Sequence, residues 1–423
     1  MTEIDLFRKG RQVELERTNP LSGPAVEPDP AWFEQSSNEP PFARHVHTTP
    51  LHLVTSVESR TNDWTVWNGY TVPNVHTHLA AEYDALHSNA GLSDISPLVK
   101  MRISGKEAVA YLDHLLTMPV GRMKQHDTRR AFMCAGNGQL VTEGILFRLD
   151  ETEFRLITRS KHLDWFLDAG IGFGASVDDI SGTLAGLSLS GPRAPLVLAE
   201  AGLERSADLA RGKACWEEPG RMPTYVSRTG LLGESQFELW IDPEDAPLLW
   251  NRLLAAGKHH AIRPVGEAAR NVARLEQGVF LEGRDFASAF ASSSTLVPAT
   301  PYDLGLGTFV KLDRATFNGQ AALRRLVTSG AGRAPVAFTI AGNEADQLGA
   351  IYAGGRKAGR ITSHTWSPAL HTHIALGLMD IQGLGTSGAY ALDVLTFEGV
   401  AEKRTAHFAK RPLLAAGMAN LTE

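Results

Sequence analysis

The order in which strand and helix patterns follow one another constrains this chain more than any other feature. Between residues 78 and 258 the two patterns mix without regular βαβ alternation. "HLAAEYDALHSNAGL" has helical spacing and ends in Asn-Ala-Gly, a stop signal. "LVKMRISG" alternates as a strand, "KEAVAYLDHLLT" is amphipathic, and "GQLVTEGILFRLDETEFRLIT" reads as strand, turn and strand. A helix follows near 160–170, then the strand "TLAGLSLSGP" and the helix "APLVLAEAGL". "TYVSRTGLLGESQFELWI" is a second hairpin, and "EDAPLLWNRLLAAGK" is a helix. Such an order argues for an α+β body rather than a doubly wound parallel sheet.

The texture changes near "VTSGAGRAP". Beyond it, "APVAFTIAG", "GAIYAGGRKAGRITSHTW", "HIALGLMDI" and "AYALDVLTFEG" are short strands with glycine turns, the pattern of a small antiparallel barrel or sandwich. A length of 423 residues exceeds one ordinary core. The expected division is an N-terminal extension over 1–60, a body over 61–328 built of two intertwined subdomains, and a β-rich domain over 329–423. The extension carries "NPLSGPAVEPDP" and "SSNEPP" and is expected to wrap over the surface without regular structure, anchored by Trp32 and by the following Trp64 and Trp67.

Composition excludes several functions. A net charge of -6 without a Lys/Arg cluster leaves no footprint for nucleic acid or an anionic membrane. No apolar run is long enough to span a bilayer, and the N-terminus has no apolar signal region, so a cytoplasmic protein is expected. Cys134 and Cys215 fit no metal or redox spacing. "GIGFGAS" follows a helix, not a strand, which argues against a dinucleotide site. The pairs His45/His47, His76/His78, His259/His260 and His371/His373 lack an evident third ligand, so no metal is expected.

Two carboxylates stand out. Glu143 and Glu234 both lie in strand-turn contexts beside glycines (Gly138 and Gly144; Gly230 and Gly233). A carboxylate so placed can accept two N–H donors from a planar heterocycle, or take up a proton where burial raises its pKa. Ordinary hairpin carboxylates fit the same spacing.

Seven ordered blocks between residues 64 and 410 carry a resemblance. "AEYDALHSNAGLSDISPLVK", "LVTEGILFRLDETEFRLIT", "LSLSGPRA", "SRTGLLGESQFEL", "AARNVARLEQGVFLEGRDF", "TPYDLGLGTFVKLDRATFNGQAAL" and "GRITSHTWSPALHTHIALGLM" are similar to those of the folate-dependent aminomethyltransferases, the T-protein family of glycine cleavage. The resemblance implies a three-domain ring-like fold with a β-rich C-terminal barrel and tetrahydrofolate in a central channel. It places Glu234 on the glutamate that grips the pterin, Arg270 on an arginine near the folate, and Glu143 on an aspartate near the reactive nitrogen.

The departures are equally informative. Glu143 replaces Asp beside Thr142, Leu231 and Leu232 replace Tyr and Thr, Ser96-Pro97-Leu98 replaces Ser-His-Met, and Asn271 replaces Asp. Some branches of the family demethylate methoxylated aromatic acids, and the extra tryptophans suit a flat aromatic substrate. The implied activity is one-carbon transfer, as tetrahydrofolate-dependent O-demethylation of a methoxylated aromatic, with Glu143 or Tyr225 protonating the departing phenolate. Two alternatives stay open: a folate-independent lyase releasing formaldehyde from a hydroxymethyl aromatic, and a folate-binding accessory protein of iron–sulfur assembly. The accessory branch carries a cysteine signature that this sequence lacks.

Overall fold

A computed structural model describes residues 46–229, 235–291, 296–340, 342, 345–384 and 390–413. Three sheets and a closed barrel organise them. Two of the sheets form the body. One has six strands in the order Ala214–Glu217, Thr224–Ser227, Gln236–Ile241, Ala185–Ser190, Ala90–Asp94, Ile262–Pro264. The other has five, in the order Thr128–Cys134, Leu140–Arg148, Glu153–Thr158, Val99–Ser104, Ser176–Asp179. Pairing is antiparallel throughout both, apart from the edge strand Ile262–Pro264 alongside Ala90–Leu92. The α+β expectation therefore holds, and so does the barrel. Six strands, from Arg333–Ile340 to Ala401–Ala409, close on themselves.

Period-two alternation explains how the body sheets are used. In Gln236–Ile241, the side chains of Phe237, Leu239 and Ile241 enter a core with Trp250 and Leu253 of the helix Ala246–Ala256. The alternate residues Gln236, Glu238 and Trp240 face the other way. In Leu140–Arg148, Leu146 joins a core with Tyr111 and Leu112 of the helix Ala108–Leu115, whereas Glu143 and Ile145, of the other parity, line a cavity. A further cluster with Trp67, Ile95, Phe147, Ile157, Tyr225 and Trp240 joins the two sheets.

The helix Glu267–Glu276 completes the enclosure. Glu267, Arg270, Asn271 and Arg274 recur at the three- and four-residue spacing of one helical face and line the same cavity. Glu82 holds the start of this helix in place. Its buried carboxylate accepts hydrogen bonds from the backbone N–H groups of His76 at 2.7 Å, Thr77 at 2.8 Å and Gly266 at 2.9 Å.

One difference from expectation lies before residue 60. His52–Glu58 is a helix, not irregular chain. Leu51 is fully buried in the six-stranded sheet's core and Val54 packs against it, so tertiary contact stabilises a turn whose β-branched composition gives little intrinsic support. No described helix is long and apolar enough to cross a membrane.

Candidate functional site

The cavity between the body sheets and the helix Glu267–Glu276 contains about 890 Å³ of empty space, part of it open to solvent. Trp67, Ile95, Leu98, Ile145 and Ile157 supply an apolar wall. The charged residues of its lining are five arginines (130, 159, 270, 274 and 284) and three glutamates (143, 238 and 267). Cations outnumber carboxylates, so the cavity favours a ligand with anionic character.

Glu143 belongs to this lining. Its Oε2 accepts a hydrogen bond from Arg130 Nη2 at 2.7 Å. Burial pushes its carboxyl above the usual range; Arg130 opposes that shift, and the nearby Glu282 adds to it. Glu282 is itself tied down, accepting from Thr142 Oγ1 at 2.6 Å and pairing with His162 Nε2 at 2.9 Å. Thr142 and Glu143 thus serve different partners from adjacent positions on one strand. Gly144 lets the neighbouring strand approach: a Cβ there would lie 2.2 Å from the Ile157 carbonyl oxygen.

Arg270 also lines the cavity. Its Nη1 donates to Glu267 Oε1 at 2.5 Å, while its buried Nε has no hydrogen-bond partner among the described residues. The Trp67 ring lies 5.6 Å from the Arg270 guanidinium carbon and 4.9 Å from that of Arg159. Arg159 forms no side-chain hydrogen bond or ion pair among the described residues. Burial lowers its pKa to about 10; Glu267 opposes that shift, and the neighbouring arginines 284, 270 and 274 add to it.

Tyr225 is elsewhere. It is fully buried in the inter-sheet cluster, outside the cavity lining, and its hydroxyl lies 3.1 Å from His126 Nδ1. Burial pushes its phenol well above the ordinary range. Glu234 lies outside the described residues. Among the described residues no group of three or more His, Cys, Asp or Glu is placed to hold a metal ion.

Sequence reading passed over Glu238, Arg130, Arg159 and Glu267. Glu238 is the most distinctive of them. Thr229 Oγ1 donates to its Oε1 at 3.2 Å, and its buried Oε2 has no hydrogen-bond partner among the described residues. Burial raises its carboxyl to about 7, against the opposing effects of Thr229 and Arg270. The signal was available: "FEL" sets a glutamate between two core residues, and the block "SRTGLLGESQFEL" carries this second glutamate four positions after Glu234.

The raised value has a consequence for stability. A carboxyl whose pKa rises on folding favours the folded state most at pH below its ordinary range, and that contribution is lost as pH rises through about 7. Glu238→Gln should therefore be more stable than wild type at pH 8, by on the order of 1–3 kcal/mol. The gap should close below pH 5. Thermal unfolding of both proteins across that range checks it, and a gap that does not change with pH would count against a desolvated carboxylate.

The class defined so far is an α+β body of two antiparallel-rich sheets with a closed C-terminal barrel and a small-molecule cavity that mixes arginines with buried glutamates. The GCVT N-terminal domain model matches residues 53–314, and the glycine cleavage T-protein C-terminal barrel domain model matches residues 333–413. The chain belongs to this aminomethyltransferase family, whose work is one-carbon transfer. It is 32% identical over 321 residues to an aminomethyltransferase of Desulfitobacterium hafniense, covering 74% of this chain and 85% of that protein. An aminomethyltransferase of Streptomyces coelicolor is 32% identical over 324 residues, covering 74% and 84%. The crystal structure of glycine cleavage system aminomethyltransferase T from Bartonella henselae shares the fold, with a TM-score of 0.76 at 24% identity over 87% of this chain and 98% of that one.

Proposed function

We propose that this protein transfers a methyl group from a methoxylated aromatic compound to tetrahydrofolate. The observation that carries the proposal is the pairing of opposites in one cavity. An apolar wall headed by Trp67 shares the cavity with a buried acceptor, Glu238 Oε2, and a buried donor, Arg270 Nε, neither with a hydrogen-bond partner among the described residues. An unpaired buried polar atom costs stability, so a ligand that satisfies both is favoured.

Tetrahydrofolate fits that demand, with N–H groups for Glu238 and acceptors for Arg270. When bound, it supplies the nucleophilic nitrogen that takes the one-carbon unit. The chain's own part is alignment and proton control. Trp67 and the isoleucines at 95, 145 and 157 offer a dry surface for a flat ring. Holding the reactants in register supplies much of the rate. Glu143, whose carboxyl holds its proton above the ordinary range, is the group placed to protonate a departing phenolate.

Aminomethyl transfer is the second reading, favoured by the name of the 32%-identical relatives. Pure protein incubated with methoxylated and hydroxymethylated aromatics, and with an aminomethyl donor, separates the readings. Methyl-folate formed only with tetrahydrofolate present supports the proposal. Methylene-folate from the aminomethyl donor alone supports the second reading, and formaldehyde released without folate overturns both. Glu238→Gln should weaken tetrahydrofolate binding about 10- to 100-fold by calorimetry, the range for losing a charge-assisted hydrogen bond.

A further inference from the structure

Beside the cavity lies a second hollow, with about 1320 Å³ of empty space continuous with solvent. Arg130 and Ile145 line both, so the two adjoin at the position where Arg130 holds Glu143. Four cations, Arg129, Arg130, Arg211 and Lys213, stand in the hollow's lining against one carboxylate, Asp127. This concentration occurs on a chain whose net charge is -6.

The cations are unequally committed. Lys213 Nζ pairs with Asp127 Oδ1 at 2.5 Å, and Arg130 pairs with Glu143. Arg129 donates no side-chain hydrogen bond and forms no ion pair among the described residues. The wall that carries these groups is fixed by backbone hydrogen bonds. Thr128 N donates to the Gly212 carbonyl at 2.7 Å, and Gly212 N donates to the Arg228 carbonyl at 2.9 Å. A rigid concave wall with excess positive charge attracts and orients anions.

We propose that this hollow is a carboxylate-binding vestibule. Arg129, with the positive charge of Arg211 beside it in the lining, takes the acid group of a molecule whose other end reaches the cavity. The inference rests on the proposed reading of the cavity as the transfer site. Two sources share the required chemistry: the carboxylate of an aromatic one-carbon donor, and the glutamate end of the folate.

Calorimetry on the full chain distinguishes them, independently of turnover. One arm compares 3-methoxybenzoate with its methyl ester; the other compares monoglutamyl with triglutamyl tetrahydrofolate. Wild type should favour the acid over the ester, or the triglutamate over the monoglutamate, by about 10-fold, as expected for two or more partly exposed ion pairs acting together. Arg129→Gln/Arg211→Gln should abolish that preference while its circular dichroism matches wild type, and raised salt should weaken the preference in wild type alone. A preference in the first arm assigns the vestibule to the donor, and one in the second assigns it to the folate. Binding without either preference, a preference that survives the double substitution, or failure of both carboxylate ligands to bind overturns the vestibule. Absence of methyl transfer with the preference intact overturns only the proposed reaction.

Discussion

Glu143→Gln is expected to lower the turnover of methyl transfer by about 10²- to 10⁴-fold, the usual contribution of a positioned general acid. The change is conservative in shape. A glutamine carbonyl can still accept from Arg130 Nη2, now 2.7 Å from the carboxylate, so the wall should keep its form. What disappears is the exchangeable proton. Burial keeps that proton on Glu143 to higher pH than an ordinary carboxyl would; Arg130 opposes this and Glu282 reinforces it. The acid form is therefore depleted as pH rises through the raised value, and wild-type turnover should fall on that alkaline side. In Glu143→Gln the residual rate should lack that limb, while tetrahydrofolate affinity should stay within a few-fold of wild type. Steady-state rates across pH with calorimetric folate binding make the test. Unchanged turnover would remove Glu143 from the chemistry.

How much of this site is legible in the sequence depends on the range of the forces that build it. The strand Leu140–Arg148 declares itself through local pattern, and the family blocks single out Glu143 on it and Arg270 on what proves to be the helix Glu267–Glu276. The barrel is legible for the same reason, since glycine turns punctuate its alternating strands. Alternation states that Glu238 and Phe237 face opposite ways, but not which face is filled by a core and which by a cavity. That choice is made by Trp250 and Leu253 packing on one side of the sheet. Arg159 is harder still. It follows the last residue of the strand Glu153–Thr158 and gains meaning only from Trp67, more than ninety positions earlier. Tyr225 shows the converse. As a candidate to protonate the phenolate it would have to reach the cavity, whereas its ring is consumed by the inter-sheet core.

Arg274→Met is expected to cost about 3–5 kcal/mol, the penalty for stripping one partner from a buried ion pair. The Arg274 side chain is 3% exposed and that of Asp285 is fully buried, with Nη1 and Oδ2 at 2.5 Å. The same guanidinium donates to Asn271 Oδ1 at 3.0 Å, to the Val279 carbonyl at 3.0 Å and to Ser363 Oγ in the barrel at 2.8 Å. Asp285 reaches the barrel too, accepting from Thr362 Oγ1 at 2.7 Å. Methionine fills similar space but leaves Asp285 with hydrogen-bond donors and no counter-charge. A loss of that size is a large part of a typical total stability of about 5–15 kcal/mol. Replacing both partners, as Arg274→Met/Asp285→Leu, should recover most of it, because no buried charge then remains. Urea unfolding of the single and double variants reads the difference. If the double variant is no more stable than Arg274→Met, the uncompensated Asp285 charge is not the cause. The hydrogen bonds from Arg274 to Asn271 and Ser363, which neither variant restores, would then be what joins the cavity wall to the barrel.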